Sequence, residues 1–114
     1  MVKRPLSVTM VAFVYLLVGT GGFVAHFQAL LARDADAISI ESTELVAFLA
    51  GMFLLRAHNW ARWLALVWIA FHVVLSAFHD LGQFAVHLAF CAVIAWILFR
   101  PGAARYFQRA ADIA

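Results

Sequence analysis

The side chains of this chain that can do chemistry are five histidines, six carboxylates and one cysteine in 114 residues. Their surroundings matter more than their number. Glu44, His72 and His87 stand in or beside long apolar runs, and imidazole with carboxylate in such a setting suits three kinds of work. Two histidines and a carboxylate can hold iron, copper or zinc with a coordination position left open. Histidines on neighbouring helices can ligate a haem iron axially, or one can hold the magnesium of a pigment. A carboxylate with histidines can also relay protons or bind a quinone headgroup without any cofactor. The bland alternative is that each histidine bonds a nearby carbonyl or Glu44 and locks the structure. At this level the cofactor is unknown, with haem, a pigment and a transition metal all open.

Spacing groups these residues further. His72, Ser76 and His79 fall on one helical face, Gln83, His87 and Cys91 recur every fourth residue, and Glu41 and Glu44 lie one turn apart. His26, Glu41, His79 and Asp80 form a second, looser polar layer. A single cysteine, Cys91, excludes an internal disulfide and any CxxC motif. Met10, Met52 and Cys91 make no repeated pattern that would favour copper(I). The chain has no Gly-rich phosphate loop, no Ser/His/Asp order and no HExxH, so catalysis of the soluble kind has no support and the reading leans away from an enzyme.

The elements that must position these groups are set by composition. The chain is 67% apolar and 12% charged, whereas soluble proteins are roughly half apolar and a quarter charged. A domain this small would have to expose greasy surface on nearly every face in water, so lipid is the solvent that fits. Four apolar stretches, Leu6 to Leu31, Glu41 to Leu55, Trp63 to Phe78 and Phe84 to Phe99, are joined by short polar breaks. A helix needs about 20 residues to span the hydrocarbon, and open sheet edges do not occur in lipid. The reading is all-α: one transmembrane domain over 1–114, a four-helix bundle running up-down-up-down with helices at about 5–32, 38–57, 61–80 and 83–100.

The bases orient it. With both termini cytoplasmic, Lys3, Arg4, Arg56, Arg62, Arg100, Arg105 and Arg109 all fall inside and only Arg33 lies outside, as the positive-inside rule requires. Asp34, Asp36, Glu41, Glu44 and Asp80 fall toward the outer side, leaving Asp112 inside. Arg56, Trp60, Arg62, Trp63 and Arg100 are the expected interface anchors. At 1.5 Å per residue, Glu44 lies about 18 Å above Arg56, His72 about 15 Å above Arg62 and His87 about 20 Å above Arg100, so three helices bring these groups to nearly one depth. Lys3-Arg4 before an apolar run and the Ala35-Asp36-Ala37 sequence resemble a signal peptide, but the run is about twice the length of a signal core and is read as a span. Pro5 opens the first helix at no hydrogen-bond cost, and Gly19-Thr20-Gly21-Gly22 is read as a site of close helix packing or a mild kink, ahead of a ligand approaching bare backbone. The ends of the second and fourth helices, Phe53-Leu54-Leu55-Arg56 and Ile97-Leu98-Phe99-Arg100, hint at an internal repeat, which the shared need for arginine at inner helix ends also explains.

Gly51-Met52-Phe53-Leu54-Leu55-Arg56 followed by Asn59-Trp60-Ala61-Arg62-Trp63 resembles an inner loop found in small four-helix bacterial inner-membrane proteins of unknown function. Arg4-Pro5-Leu6 leading into Leu17-Val18-Gly19 is similar too. The resemblance covers most of the chain in layout and about a dozen residues in sequence. It implies a multi-pass protein of the bacterial inner membrane and carries no established activity. In length the chain is also similar to the small multidrug transporters, which place a carboxylate midway along their first helix; here that helix contains no acid.

Three functional expectations follow. The first is a structural or accessory subunit of a larger membrane complex, because the polar loops are too short to hold a separate active domain. The second is a haem-, pigment- or metal-binding bundle using Glu44, His72 and His87. The third is a proton-coupled carrier or channel that depends on Glu44. The expected partners are the lipid bilayer, other membrane subunits or further copies of the chain; the bases are too scattered for nucleic acid.

Overall fold

The computed structural model describes residues 3–33 and 35–113; Asp34, assigned above to the outer side, lies outside them. Five helices follow in order, α1 Leu6–Leu31, α2 Ala35–Leu55, α3 Asn59–Ala77, α4 Leu81–Phe99 and α5 Pro101–Ile113, and no strand occurs among the described residues. The first four are long and apolar enough to cross a membrane, which makes this the fold of a multi-pass helical membrane protein. Against the spans expected at 38–57, 61–80 and 83–100, each of α2 to α4 starts and ends earlier in the chain. The causes are local. Asp36 sits in the first turn of α2, where the helix dipole favours an acid, and Asp80 caps α4 by accepting from the Gly82 N–H at 2.9 Å, which obliges α3 to stop short of it.

The fifth helix is the larger difference from the sequence reading, which ended its last helix at 100. Pro101 occupies the first helical position, where its missing N–H is not needed. Ala103, Tyr106 and Phe107 are buried while Arg105, Gln108 and Arg109 are exposed, the spacing of a short amphipathic helix. Its apolar face packs on α3 and α4.

Two helix pairs make the bundle. α1 with α2 is the most extensive contact, α3 with α4 the next, and α1 touches α4 only slightly. Both stripes of the first pair are legible in the chain: Val8, Val11, Ala12, Tyr15 and Gly19 are buried on α1, and Ala37, Glu41, Glu44, Ala47, Ala50, Gly51 and Leu54 on α2, at the three- and four-residue steps of one helical face. The small residues let the backbones meet. A Cβ at Gly19 would lie 2.6 Å from the Phe48 nitrogen and 2.7 Å from the Glu44 carbonyl oxygen; one at Gly51 would lie 2.7 Å from the Ala12 carbonyl oxygen. Close approach between small residues is what holds helices together in lipid, where apolar burial gives little driving force. The sequence reading of the glycine run is thus met at Gly19, whereas a Cβ at Gly21 would meet nothing.

Hydrogen bonds tie the helices at three levels, with Tyr15, Trp68 and Arg100 joining one pair to the other and Arg4 and Arg62 joining the members of a pair. Tyr15 Oη donates to the Ala65 carbonyl at 2.6 Å and its ring meets Trp68 edge-on at 5.3 Å. Trp68 Nε1 donates to the Thr43 carbonyl at 2.7 Å. At the arginine-bearing end, Arg4 donates to the Leu55 carbonyl at 3.0 Å, Arg62 to the Leu98 carbonyl at 3.1 Å and Arg100 to Ser7 Oγ. Leu55 and Leu98 belong to the last turns of α2 and α4, whose carbonyls lack helical partners and carry the negative end of the dipole. Arg62 also lies over the rings of Phe99 and Phe107, at 4.8 and 5.0 Å, and Arg100 over Trp96 at 5.0 Å. Trp63 packs on Phe99 at 4.7 Å and Trp60 on Phe53 at 4.9 Å. The anchors therefore bind helix ends together as well as facing the surroundings.

Reversible unfolding in mixed micelles tests the glycine contact. Gly19→Ala and Gly51→Ala are each expected to destabilise the protein by about 1–3 kcal/mol through overpacking, whereas Gly21→Ala is expected to be neutral or stabilising by up to about 1 kcal/mol. Equal effects at all three positions would refute the backbone contact.

Candidate functional site

The α1 and α2 stripes continue past their small residues into polar ones. Gly19 is followed one turn on by Gly22 and then by His26, and facing them α2 carries Glu44 and Glu41. Glu44 lies against Gly22, where an added Cβ would meet the carboxylate carbon at 2.6 Å and oblige that side chain to move. The Glu44 carboxylate then reaches His26, with Oε1 2.9 Å from Nδ1, and the same nitrogen lies 2.9 Å from the Gly22 carbonyl oxygen. Glu41 and Glu44 are both buried, at 4% and 9% exposure. Both oxygens of Glu41 and Oε2 of Glu44 have no hydrogen-bond partner. Among the described residues, His26, Glu41 and Glu44 are the histidine and carboxylate group whose ligand atoms lie within 4.8 Å of one another.

Glu44 also lines a cavity of about 550 Å³ shared by all four long helices. His72 and His87, the residues placed at its depth by counting along the helices, line the same cavity, with Thr43, Trp68 and Phe71 among its other walls. The three groups thus share one space, but His72 and His87 are not within metal-ligand reach of the His26 cluster. Their rings are 6.1 Å apart. His72 stacks at 4.1 Å on Trp68 and meets Phe71 edge-on at 5.6 Å.

The hydrogen-bond network assigns the tautomers. The Nδ1 of His72 lies 2.9 Å from the Trp68 carbonyl and that of His79 lies 2.7 Å from the Leu75 carbonyl; a carbonyl only accepts, so Nδ1 carries the proton in both. Ser76 Oγ donates to the His72 carbonyl at 2.8 Å and lies 2.6 Å from His87 Nδ1. Its single proton being spent, it accepts from His87 Nδ1–H. Each of these rings therefore keeps an Nε2 lone pair for a ligand, a metal or a proton. The bland expectation, histidines bonding to nearby carbonyls, describes the Nδ1 side alone.

The expected outer layer of His26, Glu41, His79 and Asp80 divides. His26 and Glu41 join Glu44. His79 lines a smaller cavity of about 230 Å³ between α3 and α4 with Ser76 and Gln83, which adjoins the first across His72, Leu75 and His87, and Asp80 serves as the α4 cap. Cys91 packs against the edge of the apolar core. The pairing of His26 with Glu44 was missed by depth counting. The signal for it is the Gly19, Gly22, His26 spacing, which continues the face that α1 turns to α2.

Fold and site together define a four-span helical membrane protein with a carboxylate–histidine cluster between α1 and α2 that adjoins a cavity shared by all four long helices. No family model matches the chain, and neither the curated proteins nor the solved structures contain a match.

Proposed function

We propose that the protein is a multi-pass protein of the bacterial inner membrane, running up-down-up-down with both termini cytoplasmic, that binds a lipid-soluble molecule with a ring-shaped, hydrogen-bonding head, such as a quinone, in the Glu44–His72–His87 cavity. The observation that carries the reading is this cavity itself. Its size falls within the usual range for small-molecule sites, and a few polar groups converge among apolar and aromatic walls, as such sites require. Trp68 and Phe71 offer faces and edges for a ring. The two free Nε2 atoms and the Glu44 carboxylate offer acceptors that, once protonated, become donors, so the head group can exchange protons as it binds.

A second reading is favoured by α4, which buries only Ile94 and Leu98 of its 19 residues. In the bilayer such a face meets either lipid or another helix, and the latter makes the protein an accessory subunit of a larger complex.

Three measurements test these readings. A green fluorescent protein fused after Ala114 is expected to fluoresce, since it matures in the cytoplasm; a dark fusion at normal expression would reverse the orientation. In a variant that keeps Trp68 as its sole tryptophan, a short-chain benzoquinone is expected to quench fluorescence saturably, and His72→Ala is expected to weaken binding tenfold or more, equivalent to about 1.4 kcal/mol. Quenching that does not saturate, or that ignores both His72→Ala and His87→Ala, would remove the ligand reading. For the accessory role, native electrophoresis of membranes in mild detergent is expected to find the chain in a species far larger than itself; migration at the mass of one chain in its micelle would dispose of that role.

A further inference from the structure

Beyond the cavity, which it touches only at Glu44, we propose that His26, Glu41 and Glu44 bind one divalent transition-metal ion, zinc or manganese in class, between α1 and α2. The cluster is more than a group of acids near one another. Glu41 is more than nine-tenths buried and neither of its oxygens has a partner; Glu44 is about as buried and leaves Oε2 unpartnered. Two carboxyl groups side by side away from water must either share a proton or hold a cation. The His26 ring faces Glu44 and supplies at most one positive charge, whereas a divalent ion balances both carboxylates at once.

The donor set fits the class. One imidazole and two carboxylates suit borderline and hard divalent ions and disfavour copper(I), which prefers sulfur. Metal–ligand bonds near 2.0–2.2 Å hold donors about 3.3–3.6 Å apart around a tetrahedral ion; the three ligand atoms already lie within 4.8 Å, and the His26 ring gives up its Nδ1–H bond to the Gly22 carbonyl to present a lone pair to the ion. The rest of the coordination sphere has a route from solvent, since His26 is about half exposed. Gly22 completes the cradle by leaving the volume that the Glu44 carboxylate occupies.

The test uses the full chain in detergent or nanodiscs, stripped with EDTA and titrated with Zn²⁺ and Mn²⁺, with bound metal counted by elemental analysis and coordination read from the visible bands of Co²⁺. One equivalent per chain is expected, with a metal-dependent rise in melting temperature. Glu41→Gln is expected to weaken binding at least tenfold and abolish that rise. His26→Ala is expected to lose the imidazole contribution to the Co²⁺ spectrum. Should Glu41→Gln fail to fold, Glu41→Asp keeps the charge, withdraws it by one methylene and is expected to bind more weakly. Less than one tenth of an equivalent bound to the wild type, or affinity unchanged in both Glu41→Gln and His26→Ala, would overturn the proposal. So would loss of the metal in His72→Ala with retention in Glu41→Gln. Neither Glu41 nor His26 lines the quinone cavity, so saturable quenching that persists in variants that have lost the metal separates the failure of one reading from the failure of the other.

Discussion

The contact on which the rest of the structure depends is the meeting of the α1 and α2 backbones at Gly19 and Gly51. Lipid is as apolar as the side chains it surrounds, so helices in it are held by close packing and by polar groups that have nowhere better to go. The glycine contacts supply the first and thereby fix the second. Once Gly19 lies against Phe48 and Glu44, the next positions on the α2 stripe are carboxylates and the next positions on the α1 stripe are Gly22 and His26. The polar centre is thus an extension of a packing seam, positioned by the same register and fixed as soon as that register is.

The four spans, their order along the chain and the arginine-rich end were legible because they rest on composition and charge, which act one residue at a time. Depth was legible too, since a helix rises by a constant amount per residue, and Glu44, His72 and His87 do line one cavity. Azimuth was not. Whether His26 turns toward Glu44 depends on which face of α1 meets α2, and in an apolar helix that face is marked only by small residues, a weaker signal than a polar stripe in a soluble helix. The fifth helix escaped for another reason. Arg105, Gln108 and Arg109 make residues 101–113 look like a solvated tail, while Tyr106 and Phe107 are buried, and their packing on the ends of α3 and α4 is a tertiary fact.

Glu44 has two neighbourhoods. On one side are Gly22 and His26, on the other the cavity with His72 and His87. A single carboxylate facing both ways couples them: whatever fixes its charge or rotamer on one side changes what the other side offers. Thermodynamic linkage makes such coupling reciprocal.

The ties between the helix pairs are not spread evenly along the bundle. Arg100 joins the pairs at one extremity, where Arg4 and Arg62 also fasten helix ends within each pair, Tyr15 and Trp68 join them in the middle, and past Trp68 the cavity parts the helices. Mechanically this is a spring clip, gripped at the base and parted at the jaws. With its cross-pair hydrogen bonds at the base and middle, the bundle leaves the space beyond Trp68 as the part of the seam that the fewest bonds hold closed.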